Sequence, residues 1–432
     1  MENDEVQSTS GISMTPPLAL EPELAVRGKK IPGLEGLRGV AIVMVILYHL
    51  GVSRFGGGYL GVDLFFVLSG FLITSLLIEE QAATERIALV SFWVRRAKRL
   101  LPALFLVVIG LLAVIDLHAW LNGPWSDPTL NPRSFRGDAF AAVFFVANWH
   151  RIQVDHLGFG VSSPRLLWHL WSLSIEEQFY LVWPLVTVAI MSLRHRYRRI
   201  AGVVVSATAA LASVGLMAWF WRSSHFTLYT VVFNDPMRAY HGTDSRAFGL
   251  LSGATLAWLT AARPQPGRSW RRVLSIAAPL AFVIAMLMGM VRSEPSLFYY
   301  PKPWMFTGGF LLFSLLSTLV IADVRQLDPS PLGRLLGVRP LRYLGRISYG
   351  LFLIHMAIIA LLQISPLRLS ALATNILVFA LSVVLADLSY RFIENPVRRS
   401  AWIDRNRWSI PVAFAVVVGL VLVGTSGPVI RL

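Results

Sequence analysis

The chain of 432 residues has no cysteine. Disulfides, cysteine-ligated metals and a thiol nucleophile are therefore excluded. Charge is scarce too. Only 15% of residues are Asp, Glu, Lys or Arg, and acids are the rarer sign, 24 against 39. Gly-x-Ser-x-Gly, a P-loop, His-Glu-x-x-His and Asp-rich metal pairs do not occur. Nor is there a repeat of fixed period, or a low-complexity tract after residue 30. Residues Met1 to Lys30 hold no long apolar stretch and read as a disordered cytoplasmic tail, not a cleaved signal peptide.

What is abundant is apolar. Hydrophobic residues make up 55% of the chain, and its mean hydropathy is +0.60. Apolar runs of about 18–22 residues recur from residue 33 onward, each long enough to span a bilayer. The fold class expected is all-α, a polytopic transmembrane helical bundle. Candidate spans are 33–53, 60–79, 100–120, 171–192, 201–221, 246–262, 273–291, 304–323, 347–364 and 371–390. These are ten core spans, and an eleventh lies near 409–428. The net charge of +15 calls for no nucleic acid, because the Lys and Arg sit in short clusters between apolar runs.

Those clusters orient the bundle. Arg95, Arg96, Lys98 and Arg99 follow the second span, and Arg194, Arg196, Arg198 and Arg199 the fourth. Further clusters follow the sixth, eighth and tenth. Every even-numbered end is basic, which places those ends and the N-terminus in the cytoplasm. The count requires that residues 137–150 do not cross. That apolar stretch is about a dozen residues long and reads as re-entrant or interfacial.

Several polar residues inside apolar spans are candidates for chemistry. Arg38 and His49 lie eleven apart in the first span. On a helix they share one face, about 16 Å apart along the axis. A snorkelling Arg and a hydrogen-bonded His would be the ordinary explanation. The pair is costly in a membrane, which makes both residues functional candidates. Asp63 and Gly70 share a face seven residues apart, where glycine permits close helix contact and Asp caps the helix or meets a cation. Arg96 and Arg99 lie one turn apart in Arg95-Arg96-Ala-Lys-Arg99. Together they suit a polyphosphate, although such clusters also set topology or meet anionic lipid.

In Trp168-His-Leu-Trp-Ser-Leu-Ser-Ile-Glu176-Glu177-Gln-Phe-Tyr180, one helix face carries His169, Ser172, Glu176 and Tyr180. Adjacent carboxylates there must line water or meet cations, unless they only cap the helix. Their functional reading is to orient and charge His49. Asp244 and Arg246 stand at the outer end of the sixth span, where helix capping is the plain alternative. Asp63, Tyr180, Asp244 and Arg246 are the substrate-binding candidates. His355 is alone on an apolar helix and reads as a packed, hydrogen-bonded histidine. The His150-x4-Asp155 spacing arises easily by chance and lies on the wrong side for a cytosolic donor.

Together these segments resemble the acyltransferase 3 family of bacterial membrane O-acyltransferases. The resemblance rests on Gly36-Leu-Arg38-Gly with His49, Gly61-Val-Asp-Leu-Phe-Phe-Val-Leu-Ser-Gly-Phe-Leu-Ile73 and Arg95-Arg96-x-x-Arg99-x-x-Pro102. It extends through Trp171-Ser-Leu-Ser-Ile-Glu-Glu-Gln-Phe-Tyr-Leu-Val-Trp-Pro184, Ser348-Tyr-Gly-Leu-Phe-Leu-Ile-His355 and Phe392-Ile-Glu-Asn-Pro396. The matches run in order over roughly residues 31–400.

The resemblance implies ten spans in the bacterial cytoplasmic (inner) membrane with both ends inside. It implies transfer of an acyl group, commonly acetyl, from cytoplasmic acyl-CoA to an extracytoplasmic or lipid-linked carbohydrate. It gives Arg38 and His49 the family's Arg/Lys-x10-His role, and Arg96 and Arg99 its donor-binding Arg-x-x-Arg role. Some members continue into an extracellular esterase-like domain. Here residues 401–432 read as a linker and an extra helix, and no Gly-Asp-Ser motif occurs. The chain is then either a stand-alone form or one cut before such a domain or partner.

The expected mechanism has acyl-CoA phosphates on Arg96 and Arg99, with Arg38 along the donor's path. His49 acts as general base, held by Glu176 or Glu177, with an acyl-histidine route as the alternative. It needs no metal and no permanently bound cofactor. The rival class is a transporter or flippase of polar lipids, which would use the same intramembrane charges.

Overall fold

The computed structural model describes residues 25–26, 29–122, 130, 132–156, 166–223, 225–228, 231–234, 237–261, 267–291, 301–326, 328–364, 367, 369–406 and 408–424. Most of the expected tail, residues 1–24, lies outside them. Its last residues pair as a minimal antiparallel ribbon, Ala25–Val26 (β1) with Lys29–Lys30 (β2). A second ribbon joins His225–Leu228 (β3) to Val231–Asn234 (β4). Among the described residues, everything else that is regular is helical.

The helices are α1 (Pro32–His49), α2 (Leu60–Thr84), α3 (Leu89–Asn122), α4 (Pro132–Val143), α5 (Ala147–His156), α6 (Trp171–Met191) and α7 (His195–Ser223). Next come the short α8 (Met237–His241) and α9 (Thr243–Arg246), then α10 (Phe248–Thr260), α11 (Arg268–Gly289) and α12 (Phe310–Val324). The chain continues through α13 (Pro331–Leu336), α14 (Arg339–Arg346), α15 (Ser348–Ile364), α16 (Ala371–Ser389), α17 (Asn395–Arg399), α18 (Ala401–Arg405) and α19 (Ser409–Gly424).

Seven described helical stretches are long and apolar enough to cross a membrane, or eight if α14 and α15, bent by 72°, form one span. The ten or eleven expected spans are therefore not all reproduced by length and apolarity. The helices α10 and α19 have only 13 and 16 residues. The 18 residues of α1 include Glu35 and Arg38. The sequence windows counted apolar residues that fold into adjoining turns. Conversely, α3 starts at Leu89 and carries the Arg95–Arg99 cluster on its first turns. Residues 137–150 divide between α4 and α5, of 12 and 10 residues, each short of a bilayer's thickness. They are separated by Phe145 in the left-handed region, φ 54°.

The core lies on both sides of α1. Leu37, Ala41 and Val45 pack into an apolar cluster with α2, α10 and α12. Ile42 and Ile46 pack into a second cluster with α3 and α15. Close approach of backbones holds this centre. A Cβ on Gly36 would stand 1.7 Å from the Leu336 carbonyl oxygen, and one on Gly70 1.7 Å from that of Leu250. The second contact is the close approach that the Asp63–Gly70 spacing predicts, and it joins α2 to α10. Outside, Leu211, Ile276, Leu280, Leu372 and Ile376 are exposed on α7, α11 and α16. A helix face so apolar suits lipid, not water.

Candidate active site

Two helices frame the site. On α1, Arg38 and His49 share a face. On α15, Ser348 and His355 are seven residues apart and share another. The faces meet at both levels. Arg38 Nη2 donates to Ser348 Oγ at 3.1 Å. His49 Nδ1 and His355 Nε2 are hydrogen-bonded at 3.1 Å. The spacing of Arg38 and His49 thus becomes a two-rung contact between α1 and α15.

His355 is fully buried, as expected of a packed histidine. Its Nδ1 lies 3.0 Å from the Leu351 carbonyl oxygen and 2.9 Å from that of Phe352. Sequence reasoning missed its other nitrogen, which meets His49. A usable signal was present: Ser348 and His355 repeat at seven residues on one helix face. His169, in the turn before α6, brings a third imidazole, with its ring centroid 5.2 Å from that of His355.

A second level lies further down α6. Tyr180 Oη donates to Glu176 Oε2 at 3.3 Å. Glu176 is also within electrostatic reach of Arg38 and Arg99. Glu177 reaches Arg99 as well and neighbours Tyr349. This corrects one expectation: the side chain hydrogen-bonded to His49 is that of His355, whereas Glu176 engages Tyr180. The cause is helix rotation. The polar face of α6 points at Arg38 and α3, while the His169 end of the same segment points at α15.

The basic cluster divides in two. Arg95 pairs with Glu80 at 3.2 Å. Lys98 reaches Asp404 at 2.8 Å and the Ser400 carbonyl at 3.0 Å, pinning α18 to α3. Arg96 turns inward, its guanidinium 5.5 Å from the Tyr180 ring and 5.4 Å from that of Phe92. Arg99 faces Tyr180 and Glu176. The two arginines expected to bind the donor are therefore the two that face the site.

Three residues expected to contact substrate are held in ion pairs. Asp63 and Arg246 form an ion pair at 2.9 Å with both side chains at 0% exposure. Aromatic rings surround Arg246, with Phe310 at 4.3 Å and Tyr240 at 4.9 Å. A pair so enclosed ties α2 to α9, just before α10 begins. Asp244 is held by Arg238 through two contacts, 2.8 and 2.6 Å, and accepts from the Ser245 amide at 2.9 Å. Burial alone would raise its carboxyl, but the Arg238 guanidinium outweighs that and holds it below the usual aspartate range. Tyr180 remains at the site, buried between Glu176 and Arg96.

His150 pairs with Asp138 at 3.2 Å. The side chain of Asp155 lies outside the described residues, so the His-x4-Asp spacing has no described geometry. Nearby, Gln178 ties the broken α4–α5 segment to the bundle. Its amide donates to the Phe145 carbonyl at 2.8 Å and to Asn148 Oδ1 at 3.0 Å, and accepts from Thr243 Oγ1 at 2.5 Å.

The family profile described as an acyltransferase domain matches residues 31–391, the segment that contains every residue of both levels. The chain belongs to the acyltransferase 3 family. Among its curated relatives, the peptidoglycan O-acetyltransferase OatA of Listeria monocytogenes is 34% identical over 384 residues. That alignment covers 87% of this chain and 57% of OatA. YrhL of Bacillus subtilis, named provisionally as a peptidoglycan O-acetyltransferase, is 36% identical over 85% of this chain and 55% of its own. This acyltransferase 3 chain thus spans a little over half the length of these relatives. No solved structure matches it.

Proposed function

We propose that the protein is a membrane O-acetyltransferase that moves an acetyl group from cytoplasmic acetyl-CoA to a hydroxyl of an extracytoplasmic carbohydrate. A peptidoglycan-type glycan is the acceptor favoured by the names of its relatives. The observation that carries the reading is the α1–α15 contact, with a cation at one end and a hydrogen-bonded imidazole at the other. In this reading residues 31–400 form the catalytic domain, and residues 401–432 add a linker and a further helix. The N-terminal end of α1 faces the cytoplasm, on the strength of the basic clusters.

The donor's phosphates rest on Arg96 and Arg99, which face the site from the basic end. Its thioester arm extends past Arg38 toward His49, a span of about 16 Å on a straight helix. The acceptor hydroxyl arrives from the opposite side. His49 removes its proton as the oxygen attacks the thioester carbonyl. The tetrahedral adduct collapses, the carbon–sulfur bond breaks, and the proton passes from the imidazolium to the leaving thiolate. Ester and free thiol result, with no net proton change. Glu176 and Tyr180 keep Arg38 and Arg99 in a polar, charge-balanced wall along the donor path. Family membership favours transfer over transport, so the flippase reading is set aside.

The test uses purified protein, labelled acetyl-CoA and a glycan acceptor. Thioester consumption and ester formation are expected to be lost in His49→Ala at unchanged membrane levels. Wild-type turnover by that variant would remove His49 from the mechanism.

A further inference from the structure

We infer that His355 is a positioning residue that locks His49 in a single tautomer, with the proton on Nδ1, so that Nε2 is the atom that acts as base. The inference rests on the reading of His49 as the base and adds the atom and the partner.

It follows from proton counting. His355 Nδ1 faces two backbone carbonyl oxygens, at 3.0 and 2.9 Å. Carbonyls only accept, so this nitrogen carries the hydrogen. A second hydrogen on Nε2 would make His355, itself without solvent exposure, a cation, which burial strongly disfavours. The neutral ring therefore offers a lone pair at Nε2. That lone pair lies 3.1 Å from His49 Nδ1. Two lone pairs do not attract, so His49 Nδ1 must hold a hydrogen and donate it. The Val45 carbonyl, also within hydrogen-bond reach of the His49 ring, can only accept and so does not supply that hydrogen. The remaining lone pair of His49 is at Nε2.

The arrangement differs from a carboxylate-oriented base in one useful respect. A carboxylate would hold the imidazolium strongly. A neutral imidazole orients His49 with a weaker pull, so the proton is returned more readily to the thiolate. The His49–His355 hydrogen bond also strengthens as His49 becomes charged, because a charged donor bonds more strongly than a neutral one. That gain arises only on the way to the transition state.

Two measurements test the inference. The first is side-chain nitrogen NMR of the wild-type protein in bilayers, with His49 assigned by the signal lost in His49→Gln. A proton on Nδ1 and a bare Nε2 are expected, and the opposite tautomer overturns the inference. The second compares His355→Gln with His355→Leu. The Gln amide oxygen can accept from His49 Nδ1, whereas Leu removes the acceptor. His355→Leu is expected to lower kcat roughly 10- to 100-fold, by analogy with loss of a charge-assisted hydrogen bond, with donor KM little changed. His355→Gln is expected to recover most of the loss. Equal kcat in the Leu variant and wild type, or no recovery by Gln, overturns the inference. The two failures are separable. Active His49→Ala removes the base itself, whereas a wrong tautomer with inactive His49→Ala removes only the role of His355.

Discussion

Single side chains have sorted themselves by what they face. Arg96 and Arg99 turn toward Tyr180 and Glu176, while Arg95 and Lys98 are held by Glu80 and Asp404. Arg96→Ala and Arg99→Ala are each expected to raise the donor KM about tenfold or more, since a hydrogen bond to a charged group is worth about 1.5–3 kcal/mol. Acceptor KM should stay close to wild type. Steady-state kinetics with each substrate varied in turn checks this, and a selective rise in acceptor KM would contradict the assignment. Asp63 and Arg246 behave differently, as a closed pair in the interior. Arg246→Met leaves a buried carboxylate without its cation and is expected to cost about 3–5 kcal/mol. Adding Asp63→Leu should recover most of that. Thermal melting in detergent decides it, and a single variant as stable as wild type would show that the pair carries no load.

Between elements, packing depends on small residues and on a few polar ties. Gly36 and Gly70 allow backbones to touch where any Cβ would collide. The Arg238–Asp244 pair joins α8 to α9 at one end of the bundle. Because Asp244 is held below the usual aspartate range, its contribution is fully present above that range. It is lost as pH falls through the depressed value. The melting temperatures of wild type and Asp244→Asn should therefore differ at neutral pH and converge in acid. A gap that is constant with pH would show that the carboxylate's charge is not what stabilises this corner. The broken α4–α5 segment depends on Gln178 in a comparable way, by hydrogen bonds to the Phe145 carbonyl in the turn, to Asn148 on α5 and to Thr243 on α9.

At the scale of the whole molecule, the number of crossings sets which side each end of every helix faces. Length and apolarity select seven stretches, or eight with the bent pair. Basic clusters favour ten core crossings with residues 137–150 excluded. The chain's natural lack of cysteine allows a direct measurement. Single cysteines placed near residues 130 and 160 are expected to react with a membrane-impermeant reagent from the same, outer side. Labelling from opposite sides would add a crossing and invert every helix that follows.

Sequence alone determined the all-α class and the Arg38–His49 spacing, and it selected Arg96 and Arg99 from the basic cluster. Each is a local property. Hydrophobic run length reports a solvent of lipid, and residues eleven or three apart on one helix keep a fixed angular relation. The close approach at Gly70 was legible for the same reason. The tertiary structure decided which face meets which. It gave His49 a histidine partner from 306 positions along the chain, directed Glu176 to Tyr180, and enclosed Asp63 with Arg246 in a buried ion pair. Those outcomes depend on the rotation and tilt of whole helices. Both are set by the summed packing of both core clusters around α1, and no short window of sequence contains them.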